Sequence, residues 1–234
     1  MEFKELREAA FEVNLDLGAS GLVVLTWGNA SCVDRSRGVF AIKPSGVPYA
    51  ELGATDIVVI DIETGDRIAG TATPSSDTPT HRVLYDAFIN CGGIVHTHST
   101  YATSWAQAGV SIPCLGSTHA DHFASGIPIT RNLTKAEVEG DYERASGEVI
   151  VEHFSESDLD PVHTPGVLLP HHGPFAWGET SRLAINNAIA LEAVAHMAFN
   201  SRLIAPCGDE IPAHVHRKHF ERKHGPDAYY GQGS

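Results

Sequence analysis

Two histidines stand two positions apart at the end of an apolar run: His96 and His98 in Gly92–Ser99, G-G-I-V-H-T-H-S. If the run is a strand, side chains at i and i+2 leave one face roughly 6 to 7 Å apart, so both imidazoles can reach one ion. The competing reading is a pair of partly exposed, hydrogen-bonded histidines, and a third ligand is needed to decide. A second apolar stretch, Gly166–Pro170, runs into His171, His172 and Gly173 (V-L-L-P-H-H-G). A histidine at a strand end with glycine after it can approach an ion on a neighbouring strand without a bulky residue in the way. His172 is therefore the candidate third ligand, with His171 an open alternative on spacing alone. Three imidazoles plus an open position form a donor set that suits catalytic zinc.

Asp77 is the next group able to do chemistry, in T-P-S-S-D-T-P-T-H. It either caps a helix by bonding free N–H groups, or reaches the metal or its bound water while Ser75 and Ser76 donate to a phosphate. Gly28-Asn29 and Ser45-Gly46 are equally open between simple turns and, with Ser75-Ser76, the small side chains and accessible donors of an anion nest.

The elements that must carry these residues follow from periodicity. Phe3, Leu6, Ala10, Val13 and Leu17 predict a first helix that breaks at Gly18 and Gly21. Leu22–Val33, Gly38–Lys43 and Asp56–Ile62 read as a β meander. A helix follows from about Pro79 to Asn90, with Thr78 as N-cap and Pro79 at its first position. Beyond the histidine strand the pattern gives a helix over Tyr101–Ala108, a short strand over Ile112–Leu115 and a polar helix over Lys135–Ala145. Strands over Glu148–Phe154 and Gly166–Pro170 come next, then the longest helix over Thr180–Leu203, a stretch with no breaker inside it. Strands in the middle with helices on either side point to one three-layer α/β domain.

Composition narrows the functions. With 234 residues, 42% of them hydrophobic, the chain can bury a substantial core. A formal net charge of -13 argues against a general nucleic-acid binder, so any phosphate must be held in a local pocket. Cys32, Cys91, Cys114 and Cys207 are scattered without a C-x-x-C, which fits a reducing cytoplasm rather than a disulfide framework. The first residues are charged and no run approaches a membrane span, so neither export nor a membrane partner is expected.

The motifs now assembled resemble the class II aldolase/epimerase superfamily, and within it the L-ribulose-5-phosphate 4-epimerases. The likeness runs almost end to end, through L-T-W-G-N-A-S, F-A-I-K-P-S-G-V, T-P-S-S-D-T-P-T-H, G-G-I-V-H-T-H-S, W-A-Q-A-G, T-H-A-D-H-F, P-G-V-L-L-P-H-H-G-P-F-A-W-G and K-H-G-P-D-A-Y-Y-G-Q. It implies a single α/β/α domain over residues 1–234 with a central, mainly antiparallel sheet. It also implies that His96, His98 and His172 are metal ligands with Asp77 at the metal, because the family's ligand is the histidine directly before glycine. Gly28, Asn29, Ser45, Gly46, Ser75 and Ser76 map onto the substrate-phosphate loops. Asp121 and Tyr230 match the two acid/base groups, the tyrosine lent by an adjacent subunit, with His219 and Arg222 near that shared site and Arg222 a candidate phosphate ligand.

That likeness further implies an isomerase that converts L-ribulose 5-phosphate to D-xylulose 5-phosphate by retro-aldol cleavage of C3–C4, rotation of glycolaldehyde phosphate and re-addition. Zinc is the expected metal, with manganese or cobalt as substitutes. A homotetramer with shared active sites is expected, in which segment 211–234 reaches the neighbouring subunit. L-arabinose catabolism and ascorbate-derived routes would both supply such a substrate. A class II aldolase would share the ligands and phosphate loops but lean on Asp77 for proton transfer, while T-H-A-D and Y-Y-G-Q favour the epimerase. A non-catalytic relative of the adducin type would be expected to lack the ligands. No G-x-G-x-x-G follows the first strand, so a nicotinamide-dependent epimerase is set aside.

Overall fold

The computed structural model describes residues 2–230. Gly231 and Gln232 of the Y-Y-G-Q motif, and the final Gly233-Ser234 read as a short extension, lie outside the described residues. Seven strands form one fully antiparallel sheet: β1 (Gly28–Asp34), β2 (Val39–Ile42), β3 (Val58–Asp61), β4 (Arg67–Ala69), β5 (Gly93–Thr97), β6 (Gly166–Leu169) and β7 (Gly173–Gly178), in the spatial order β4-β3-β2-β1-β5-β7-β6. Alternation along the strands divides the core in two, as the period of two requires. Val39, Ala41 and Val95 face α1 (Lys4–Ala19), α3 (Thr100–Ala108) and α7 (Ser181–Ile204). Phe40, Ile42, Ile94, Phe175 and Trp177 face α2 (Thr78–Ala87) and α6 (Tyr142–Glu156). This is the three-layer α/β/α arrangement. The remaining helices are α4 (Ser117–Ala120), α5 (Lys135–Glu139) and α8 (Ala213–His224).

Several expectations need correction. Glu148–Phe154 is helix, not strand. Its Val-Ile-Val triplet has β-favouring side chains, yet Ala145, Ser146, Val149, Ile150 and Phe154 form one buried helical stripe while Glu148 points out to Arg144 at 2.8 Å. The polar helix expected over Lys135–Ala145 is split: α5 ends at Gly140, and Asp141 starts α6 by accepting from the Arg144 N–H. The first strand begins at Gly28 rather than Leu22, because Val24 and Trp27 close a tight turn with Leu25 at φ 55. Ile112–Leu115 contributes only a single bridge, Ile112 to Ile127. The N-cap of α2 is Asp77, one residue before the expected Thr78, which shifts Pro79 to the second helical position. β7, read in the sequence only as part of a motif, fills the gap between β5 and β6.

Two features of this fold make a site. β1, β5 and β7 lie side by side, with Asn29 paired to His96 and His96 paired to Phe175, so these side chains form a row on the α2/α6 face. Both helices of that face also begin at this end of the row, α2 at Asp77 and α6 at Tyr142. Their N-terminal ends, rich in free N–H groups, therefore approach the histidines.

Candidate active site

His96 leaves the last turn of β5, His98 follows just beyond it, and His172 sits in the turn that joins β6 to β7. The three imidazoles form a nearly equilateral triangle, with ring centroids 5.0 Å (His96–His98), 4.7 Å (His96–His172) and 5.0 Å (His98–His172) apart. One nitrogen from each lies within 4.8 Å of the others. His171, left open with His172 by spacing, is resolved by the backbone. It takes φ 60, a left-handed conformation that costs a non-glycine residue about 1–2 kcal/mol. The turn leaves His171 exposed and brings His172 into the triangle. Gly173 permits the close approach: a Cβ there would lie 2.7 Å from the Thr97 carbonyl oxygen and 3.7 Å from the His96 ring.

The outer nitrogens are held as a metal site requires. His96 donates from Nδ1 to the Pro174 carbonyl at 3.0 Å, and its ring stacks on Phe175 at 4.2 Å. His172 Nδ1 shares a hydrogen bond with the Tyr142 hydroxyl at 3.2 Å. In both rings Nε2 is left for the centre of the triangle. Burial holds all three histidines below the ordinary imidazole range, and the neighbouring ring lowers His98 and His172 further. Neutral rings with converging lone pairs are the form that binds a divalent cation.

Asp77 stands beside the triangle. Its carboxylate makes no capping bond to α2 and instead accepts from Asn29 Nδ2 at 2.6 Å. Burial pushes this carboxyl up, but the neighbouring imidazoles and the Asn29 amide more than offset it, so it stays below the usual carboxylate range. At the triangle itself one anion thus stands next to three neutral donors, and this donor set fits a divalent metal.

A cavity of about 420 Å³ opens over these groups, lined by Gly28, Asn29, Ser45, Gly46, Ser75, Ser76, Asp77, His96, His98 and His172 together with Thr26, Trp27, Lys43 and Pro44. The Ser45 and Ser75 loops are tied side by side, through Ser45 N–H to the Thr73 carbonyl at 2.9 Å and Ser75 N–H to the Lys43 carbonyl at 3.1 Å. Asn29 Nδ2 also reaches Ser75 Oγ at 3.1 Å. Gly28 is at φ 124, and a Cβ there would meet the His96 carbonyl oxygen at 2.8 Å, so only glycine fits.

Lys43 and Tyr142 were not singled out from the sequence. Lys43 is 1% exposed, and its ammonium donates to the Pro44 carbonyl at 3.2 Å and lies 4.9 Å over the Tyr49 ring. Burial lowers its pKa, and an anion in the cavity would compensate that buried charge. The visible sign was a lone lysine closing the apolar run V-F-A-I. Tyr142 had none, because the helix start that aims it was hidden by the misread 135–154 stretch.

Asp121 and Tyr230 do not line this cavity. Both touch Arg222, elsewhere on the chain. Asp121, at the end of α4, accepts from Arg222 Nε at 2.9 Å and Nη2 at 2.6 Å and bonds His219 Nδ1 at 3.2 Å, while Arg222 lies over the Tyr230 ring at 4.1 Å. Arg222, a candidate phosphate ligand in the sequence, is committed to Asp121.

This sheet, with three converging histidines and two serine-bearing loops at one end, is the architecture of a known family. Residues 8–199 match the Class II Aldolase and Adducin N-terminal domain, and the chain belongs to that family. Over 229 residues it is 50% identical to the L-ribulose-5-phosphate 4-epimerase UlaF of Salmonella paratyphi B, an alignment spanning 98% of this chain and 99% of that protein. Among solved structures it superposes on an L-fuculose 1-phosphate aldolase with TM-score 0.77 at 24% identity, covering 95% of this chain and 97% of the other. It superposes on YgbL of Klebsiella pneumoniae with TM-score 0.71 at 24% identity, covering 93% and 99%. At that identity the structural likeness speaks for the fold.

Proposed function

We infer that the chain is an L-ribulose-5-phosphate 4-epimerase, an isomerase that inverts C4 of the sugar phosphate by breaking and remaking C3–C4. The observation that carries this reading is that three converging imidazoles share one cavity of about 420 Å³ with the Ser45-Gly46 and Ser75-Ser76 loops, room enough for a small sugar phosphate. The named relative at 50% identity supports the particular substrate.

In this reading His96, His98 and His172 hold a divalent metal with Asp77 at its edge. Three imidazoles favour zinc, with manganese or cobalt as substitutes. Such an ion supplies Lewis acidity toward the keto oxygen and its neighbouring hydroxyl. Ser45, Gly46, Ser75 and Ser76, with Gly28, Asn29 and Lys43, grip the phosphate at the start of α2, where free N–H groups favour an anion. That grip keeps glycolaldehyde phosphate tethered after C3–C4 breaks, so it can turn and present its other face instead of leaving. Each face needs its own proton acceptor or donor at the C4 oxygen, and Asp121 and Tyr230 are the pair assigned.

Asp121 and Tyr230 do not line their own chain's cavity, so in this reading a second copy brings them there. Exposed apolar side chains on α7, including Met197, Phe199, Leu203 and Ile204, offer surface for such contacts. We assign a homotetramer with shared sites, and segment 211–234 as the part that reaches the neighbour. Among the described residues no helix is long and apolar enough to cross a membrane, and the cysteines are free, which supports a cytoplasmic setting. L-arabinose breakdown is one route that would supply the substrate.

The test is incubation of zinc-loaded protein with L-ribulose 5-phosphate. D-xylulose 5-phosphate should accumulate with little free glycolaldehyde phosphate. Fragments without the epimer would instead make the chain an aldolase.

A further inference from the structure

Asp121 and Tyr230 are 109 positions apart, yet a single side chain touches both. The Arg222 guanidinium forks onto the Asp121 carboxylate through Nε and Nη2, one donor to each oxygen, at 2.9 and 2.6 Å. Its centre lies 4.1 Å over the Tyr230 ring. The backbone repeats the link: after α8 the chain folds back so that the N–H groups of Tyr229 and Tyr230 both donate to the Arg222 carbonyl, at 2.9 and 3.0 Å. Asp121 is 8% exposed, so the fork is a largely desolvated, charge-assisted pair, the strong kind.

We propose that Arg222 is a positioning residue for proton transfer: it locks Asp121 and Tyr230 into one unit that each chain assembles before presenting it to another chain's cavity. The proposal rests on the reading of those two side chains as the acid/base pair. The alternative, that Arg222 binds substrate phosphate, would require it to abandon a buried carboxylate. Leaving that charge unpaired is costly. Lysine cannot substitute, because a point charge can neither fork nor lie flat on a ring.

Burial pushes the Asp121 carboxyl up, but the bonds from Arg222 and His219 more than offset this, and the net direction is downward. The clamp therefore has a readout that needs no substrate. In protein labelled with carboxyl-¹³C aspartate, with the Asp121 resonance assigned through Asp121→Asn, the titration midpoint should rise by about one pH unit or more in Arg222→Ala. In Arg222→Lys it should rise less, while kcat falls about 10- to 100-fold in both, with KM and bound metal unchanged. Ethylguanidine should restore part of the turnover of Arg222→Ala. Circular dichroism and the oligomeric state check that α8 stays docked, and if Arg222→Ala loses it, Arg222→Lys carries the test. An unmoved Asp121 midpoint, or unchanged kcat in Arg222→Lys, overturns the clamp. Failure of the wild-type protein to epimerise L-ribulose 5-phosphate overturns the functional reading instead, whatever Asp121 does.

Discussion

The cavity at the strand ends and the Asp121–Tyr230 unit on α4 and α8 are built from different materials. His96 and Asn29 sit in register on adjacent strands, 2% and 3% exposed, His96 fixed by the Phe175 ring and the Pro174 carbonyl and Asn29 by the Ser75 and Asp77 side chains. α8, by contrast, has no buried residue at all. It is held by polar contacts, chiefly the Arg222 fork, the His219 bond and His224 to the Asp121 carbonyl at 2.9 Å. Gathering donors around an ion demands convergence to a fraction of an ångström, which a packed sheet supplies. If the proposed acid/base pair acts on a neighbouring chain's cavity, a helix pinned by charge supplies the more adjustable arm that such a transfer tolerates.

If the two regions are separate in chemistry, mutations should sort them, and the largest effects come first. His98→Ala or His172→Ala should remove the bound metal and lower turnover about a thousandfold or more, read by elemental analysis and kinetics. Asp121→Asn and Tyr230→Phe should cut turnover by about 10²–10⁴ while leaving metal content intact. Mixing and reassembling His98→Ala with Tyr230→Phe should then recover activity, since one chain contributes an intact cavity and the other an intact arm. Metal loss in Tyr230→Phe, or no recovery on mixing, would erase the division.

A smaller effect tests the stiffness of the strand side. Gly173→Ala places a Cβ 2.7 Å from the Thr97 carbonyl oxygen, so β7 must shift away from β5. Urea unfolding should show a loss of about 1–3 kcal/mol, with weaker metal retention in a chelator competition and no change in the Asp121 titration.

The smallest is a pH effect common to both regions. Burial holds His81, on α2 behind Asp77, down to about 3, and His119 and His122, at α4, to about 4. Between those values and the ordinary imidazole value near 6.5 the unfolded chain binds more protons than the folded one. Their contribution is therefore complete above about pH 6.5 and is lost as the pH falls toward 4. The urea midpoint should be flat from pH 7 to 8 and decline from pH 6.5 to 5. A midpoint that rose on acidification would contradict the burial of these rings.

Periodicity was sufficient where one face of an element is apolar and the other is not. α1 was legible for that reason, whereas α7 was legible as a long stretch with no breaker and the strands around Val39–Ile42 and Gly93–Thr97, buried on both faces, as short apolar runs. It failed at Val149–Val151, where three β-branched residues sit in a helix whose stripe is clear only over the longer span Ala145–Phe154. The residues of the cavity could be named because histidine pairs, serine pairs and glycine turns are local patterns. Lys43 and Tyr142 escaped because what matters about them is depth and aim: one is buried in the cavity wall beside the serine loops, and the other points from a helix start toward a histidine 30 positions later. That the Asp77 carboxylate turns away from capping α2 likewise depends on Asn29, 48 positions away and on another element.

The insertion of β7 between β5 and β6 has a consequence for synthesis. Until residues near 178 have left the ribosome, β5 has a bare hydrogen-bonding edge, and His96 at its end and His98 just beyond it lack their third companion. At about 5–20 residues per second that interval lasts several seconds. During it the nascent chain offers an apolar strand to any similar partner, so chaperone contact should concentrate on chains stalled before that point and fall away once the last central strand is in place.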